Sequence, residues 1–304
     1  MTGLKFTKGV DAPMSDSIKI KVNDEIYKTK RGTTIEEFID AFGIKSSTQI
    51  VAAKVDNKIQ ELTYNLNRDC RLEFVDLLSK DGIRIYVRGL SFIFIRACRE
   101  LFPECDVSIE HSMSKGLYCE ICGGINLTPS KVKKIEKRMR EIVELDEPFE
   151  RYSVSIEEAK AIFTDMGFYD KLDILEYRPE ETVNLYRCGW MTDYLYGYMV
   201  PSTGYLKKFE LMFYLPGVII RHPTEDAKGE IPEFVDSPKL YKVFREAEKW
   251  SRIIKVENVA QLNKMIEQGR GGDLIRMNEA YLENQIAEIA NEIYENADRI
   301  KLIL

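Results

Sequence analysis

Apolar and charged residues alternate near the start of the chain. Ile18, Ile20 and Val22 are separated by Lys19 and Lys21, the period of two expected of a half-buried β-strand. Asn23-Asp24-Glu25 supplies a turn, and Tyr27-Lys28-Thr29 the return strand of a hairpin. The period then changes. Thr33 or Thr34, each followed three residues later by a glutamate (Glu36, Glu37), predicts a helix opened by a capping box. Its apolar face is Ile35, Phe38, Ile39 and Phe42, and Gly43 ends it. Ile50 to Val55 and Arg71 to Val75 read as further strands, with Asp56-Asn57 as a turn before Lys58-Ile59. A hairpin, one helix and more strands within residues 17–77 predict a β-grasp domain.

A second module spans residues 82–233. Leu90 to Leu101 reads as a buried helix ended by Pro103. Asp106 to Ile109 and Leu117 to Ile121 read as strands around the turn Ser114-Lys115-Gly116. Thr128 and Pro129 open a helix whose stripe is Val132, Ile135, Met139 and Ile142. Ser155 with Glu158 opens another that ends at Gly167, and strands are expected from there to about Ile220. The third segment, residues 234–304, reads as helical. Leu240, Val243, Phe244, Ala247 and Trp250 share one face, and Val259, Leu262 and Ile266 another. A long helix over 274–300 is expected to turn Ile275, Leu282, Ile286, Ile289, Ile293 and Ala297 inward. Leu302-Ile303-Leu304 reads as the beginning of a buried strand. The fold class is α+β: a β-grasp domain, a two-layer α+β domain, and a helical C-terminal segment.

Composition narrows the function classes. The chain has 304 residues, 44% of them hydrophobic and 31% charged, which suits about two soluble globular domains. Its 44 basic and 50 acidic residues give a net charge of −6, so no global field draws it to nucleic acid. The longest apolar stretch, Leu90 to Ile95, is too short to span a membrane. No signal-peptide core precedes Met14, so the residues before it read as a possible vector remnant. Six cysteines without a leader read as reduced cytoplasmic thiols.

Short motifs carry a resemblance. Residues 101–104 (Leu-Phe-Pro-Glu), 116–118 (Gly-Leu-Tyr), 127–139 and 200–209 follow one another as in the editing domain of threonyl-tRNA synthetases. The 17–77 module resembles the TGS domain that precedes it there. That family places a His-x-x-x-His pair one helix before the Leu-Phe-Pro, and a Cys-x-x-x-His pair before the Val-Pro. The matching positions here are Arg88 and Phe92, then Leu195 and Met199. Hydrolysis of a tRNA ester in that family needs imidazole and thiolate groups converging on one water, and none of these four supplies one. The resemblance therefore implies a scaffold with no catalytic residue and no metal ligands.

The C-terminal segment changes the picture again. Leu262-Asn263, Leu274-Ile275, Asn278-Glu279-Ala280 and Ile286 to Ala290, joined to the two preceding domains, resemble the N-terminal half of long bacterial uridine kinase-like proteins. In those, a strand like Lys301 to Leu304 runs into a phosphate-binding loop. The resemblance implies a fragment cut before a kinase domain that would use ATP and Mg, with the fragment itself binding, regulating or helping to form a homodimer. The alternative is a tRNA-binding or aminoacyl-tRNA deacylating module.

The remaining motifs are weighed singly. Cys119-x-x-Cys122 is one pair where a zinc ribbon needs two, so it reads as structural thiols. The basic run Lys131, Lys133, Lys134, Lys137, Arg138 and Arg140 reads as the wet side of a helix. Gly269-Arg270-Gly271-Gly272 lacks the following Lys-Ser/Thr of a P-loop. His222, before Pro223, reads as a surface loop residue. Where the editing site would lie, the chain offers Arg88, Lys115, Tyr118 and Tyr196, lined by Phe92, Leu195 and Met199. Such a cleft suits a small anionic or nucleoside ligand; a core packed shut is the equal alternative.

Overall fold

A computed structural model describes residues 16–299. The residues before Asp16 and the strand expected at 301–304 lie outside the described residues. The architecture is α+β, in two compact units. The first runs to Val154 and resumes over Thr182–Ser237; the second joins Ser155–Glu181 to the segment beginning at Pro238.

The first unit opens on β1 (Ser17–Val22) and β2 (Glu25–Lys30), the hairpin anticipated from the alternation. β3 (Thr33–Thr34) leads into α1 (Ile35–Phe42). Thr34 and Glu37 form the reciprocal capping box, and Gly43 takes the left-handed φ of 62° that lets the chain turn away. β4 (Ile50–Val55), β5 (Lys58–Gln60), β6 (Asn65–Leu66) and β7 (Cys70–Asp76) follow. The sheet order is β2-β1-β7-β4-β5, with β1 and β7 parallel. Ile18, Ile20, Val22 and Leu72 bury one face of it against Ile35 and Phe38 of α1. This is a β-grasp arrangement.

α2 (Lys80–Leu101) begins ten residues earlier than Leu90, with Ser79 as its cap. Every residue from Gly89 to Cys98 is buried, as befits a helix covered all round. β8 (Asp106–Met113) and β9 (Gly116–Cys122) are longer than the sequence suggests, and Ser114 and Lys115 form their turn in left-handed geometry. α3 (Pro129–Leu145) packs on α2, and Val132, Ile135, Met139 and Ile142 are buried as their spacing predicts. β10 (Glu150–Ser155) leads into the second unit at α4 (Ile156–Asp165) and α5 (Tyr169–Glu176). Strands were expected where α5 lies; the element has no side-chain cap bond at Phe168, so no start signal marks it. β11 (Thr182–Cys188) and β12 (Met191–Asp193) complete a sheet ordered β10-β11-β12. After a 3-10 turn at Thr203–Tyr205, β13 (Glu210–Tyr214) and β14 (Gly217–Arg221) extend the other sheet to β13-β14-β9-β8.

The second unit continues with α6 (Pro238–Ile254), α7 (Val259–Glu267) and α8 (Gly271–Glu295). Trp250 of α6 stacks on Tyr281 of α8 with centroids 4.1 Å apart. The inward stripe expected of the long helix is corrected here. Ile275, Leu282, Ile286 and Ile289 are exposed, because among the described residues no element packs over them. His222 is corrected in the opposite sense. It follows the buried run Val218–Ile220 of β14 and is itself buried, with Nδ1 2.8 Å from the Pro223 carbonyl oxygen. No helix of the described residues is long and apolar enough to cross a membrane.

Candidate functional site

Arg88 and Phe92 stand one turn apart on α2, so they share a helix face. Arg88 is half-buried, and its Nη1 donates to the Tyr198 carbonyl oxygen at 2.9 Å. Burial lowers its pKa from the ordinary arginine value. The loop beside it is shaped to receive the guanidinium. Gly197 has a φ of +107°, and a Cβ there would lie 2.7 Å from Arg88 Cζ. Phe92 is fully buried, edge-on to Phe149 at 5.3 Å.

On the facing loop, Leu195 is partly buried, Tyr196 is 86% exposed and Met199 is buried. Six residues not anticipated from the sequence complete this place. Tyr186 of β11 is buried; its hydroxyl donates to Glu61 Oε2 at 2.9 Å and is hydrogen-bonded by the Met199 backbone. Burial, then the Glu61 carboxylate, pushes the Tyr186 phenol up. The Tyr198 hydroxyl donates to Gln60 Oε1 at 3.2 Å, while the Arg151 guanidinium sits 5.0 Å over the Tyr198 ring. Gln60 and Glu61 belong to the β-grasp domain, more than 120 residues earlier in the chain. Asp193 precedes the loop with a carboxylate 1% exposed, its Oδ1 accepting the Tyr194 N–H at 2.7 Å.

Lys115 and Tyr118 have other partners. Lys115 Nζ pairs with Asp226 at 3.1 Å, both side chains largely exposed. Tyr118, buried in β9, donates to Glu120 Oε1 at 2.9 Å and lies against the His111 and Tyr214 rings. Two surface cavities, of about 370 Å³ beside Tyr205 and about 510 Å³ along α6, are lined by none of the seven expected cleft residues.

Arg88 and Arg151 supply positive charge, Tyr186 and Tyr198 supply hydroxyls, and no imidazole or thiol stands among them. Cys119 and Cys122 lie three apart on β9, so their side chains point to opposite faces: Cys119 is buried and Cys122 exposed. Burial pushes the Cys119 thiol well up. Among the described residues no group of three or more His, Cys, Asp or Glu side chains is placed to hold a metal ion. On α3, Arg138 is tied to Glu100 at 2.6 Å and Arg140 to Glu136 at 2.8 Å, while Lys133 and Lys134 face solvent.

The chain is 31% identical over 201 residues to a threonine–tRNA ligase of Symbiobacterium thermophilum, covering 66% of this chain and 31% of that protein. It is 32% identical over 201 residues to threonine–tRNA ligase 1 of Bacillus subtilis, with the same coverage, and 32% over 197 residues to a threonine–tRNA ligase of Burkholderia vietnamiensis. The chain thus spans about a third of the length of these curated relatives. No family model matches it. The nucleoside kinase parent expected from the C-terminal segment gains no support from these relatives.

Proposed function

We propose that this chain is a tRNA-associated module, related to the N-terminal part of threonine–tRNA ligases, that holds its ligand without hydrolysing it. One observation carries the reading. On a scaffold similar to those ligases over two thirds of the chain, the four positions where the resembling family keeps its imidazoles and thiol are Arg88, Phe92, Leu195 and Met199. Two of these are buried in apolar packing, and a third is a half-buried cation. An aminoacyl ester bound beside them meets no imidazole or thiolate at any of these four positions. Arg88 and Arg151 favour an anionic group such as a terminal phosphate, and exposed Tyr196 offers a face for a base.

The test has two arms on the same protein. In a deacylation assay with Ser-tRNA and Thr-tRNA, the chain is expected to leave both esters at the uncatalysed rate. In a filter-binding assay with uncharged tRNA, Arg88→Ala and Arg151→Ala are each expected to weaken binding by roughly tenfold, the loss of one charge-assisted contact. Turnover that vanishes in Arg88→Ala would show that the site is hydrolytic. Affinity unchanged in both variants would remove the site from ligand binding.

A further inference from the structure

We propose that the open face of the β-grasp sheet is an RNA-backbone surface, built by Lys19 and Lys21 of β1 with Lys28 and Lys30 of β2. Strand alternation puts all four on one side. Ile18, Ile20 and Val22 fill the core between the β1 lysines, and Thr29 is buried between the β2 lysines. All four lysines are exposed. The antiparallel register sets Lys19 directly opposite Lys28, and Lys30 opposite Ser17.

Two ammonium groups placed directly across a strand pair repel, and such a pair destabilises the sheet that carries it. Elsewhere this chain neutralises its cations freely, as in Arg96 with Glu100 and Arg138 with Glu141. Here no ion pair reaches any of the four among the described residues. Three acids close to these strands have partners of their own. Glu25 is held by the Tyr27 hydroxyl, Asp69 accepts the Lys19 backbone N–H at 2.8 Å, and Glu73 pairs with Arg71 at 2.9 Å.

Spacing lets the charges act together. Lysines recur about 6.7 Å apart along each strand and stand about 5 Å apart across the pair. Both distances fall inside the Debye length of about 8 Å at physiological salt, so the four potentials add. A chain of net charge −6 thereby carries a local cationic plate. The plate carries no aromatic side chain, since Tyr27 turns inward onto Phe38 and Phe42. It is therefore suited to phosphates and not to stacked bases. β2 is an edge strand, where lysines also discourage pairing with another sheet, but β1 is interior and that reason does not reach Lys19 or Lys21. The choice of RNA as the polyanion rests on the tRNA-associated reading above.

The experiment measures binding of an uncharged tRNA transcript to the full chain across about 50 to 200 mM salt. The four lysines are expected to contribute roughly −3 to −4 to the log–log salt slope of the wild-type protein, as four phosphates would give. The variant Lys19→Glu/Lys28→Glu is expected to bind at least tenfold more weakly, and Lys19→Gln/Lys28→Gln to flatten the slope by about two units. Lys133→Glu/Lys134→Glu serves as a matched charge change elsewhere, and thermal melts confirm folding in each case. Equal affinity and slope in the β-sheet variants and wild type overturn the proposal. So does capture by phosphatidylserine vesicles with no tRNA binding. The two readings separate cleanly. Loss of binding in Arg88→Ala but not in the sheet variants sinks this one alone, and the reverse sinks only the site reading.

Discussion

At the scale of single residues, two buried polar groups set the terms of stability. Burial lowers the His222 pKa below its usual 6.5. The folded chain therefore resists a proton that the unfolded chain accepts. The sign follows: His222 favours folding fully above about pH 6.5, and that contribution is lost as pH falls below it, until the folded ring also protonates. Urea midpoints measured from about pH 7.5 down to 5.5 are expected to decline in wild type and to decline less in His222→Gln. Arg96 is the other case. Its side chain is 5% exposed; Nε donates to Glu100 at 2.8 Å and Nη1 to Glu147, while Trp190 Nε1 and Arg138 Nε also reach Glu100. Arg96→Ala leaves Glu147 without this partner while Glu100 keeps Arg138 and Trp190, and an expected loss of about 3 kcal/mol is measurable by chemical unfolding. Little of this was legible in the sequence. Pro223 disguised His222 as a loop residue, and Glu61 meets Tyr186 across 125 positions, a pairing no local periodicity can encode.

At the scale of elements, legibility tracked the strength of local signals. β1, α1 and α3 announced themselves through alternation, a capping box and Thr128-Pro129, and the structure places each where those signals lie. α5 carried no cap and was taken for strand. α8 showed a true helical stripe, but periodicity reports that a face is apolar and not that anything covers it. What joins α8 to α6 is the Trp250–Tyr281 stack together with a 2.8 Å hydrogen bond from Trp250 Nε1 to Asn278 Oδ1. Trp250→Ala removes both. Amide exchange in α8 is expected to accelerate, by the equivalent of about 0.5–1.5 kcal/mol for the aromatic pair, while β1 and β7 keep their protection. Unchanged exchange in α8 would mean the helix is held by something other than this stack.

At the scale of the whole molecule, the chain's order and its folding units do not coincide. Ser155–Glu181 leaves the first unit in mid-sequence and packs with the helices that come after Pro238. α5 lies on α7, and the Tyr177 hydroxyl donates to Glu267 at 3.1 Å. A chain ended at Ser237 is therefore expected to retain exchange protection in the β13-β14-β9-β8 sheet and to lose it in α4 and α5. Protection of α4 and α5 in that shortened chain would show that they fold without α7.

The packing around Phe92 bears on any attempt to build a base into this place. Phe92→His would set an imidazole against Phe149 in a place with no described hydrogen-bond partner, and Met199→His would bury one where a thioether now packs. Arg88→His would vacate the hollow over Gly197 that the guanidinium fills. These three point changes would thus place imidazoles in surroundings packed for other side chains. The surroundings act as a ratchet: each neighbour fitted to the present side chain raises the barrier to a different one.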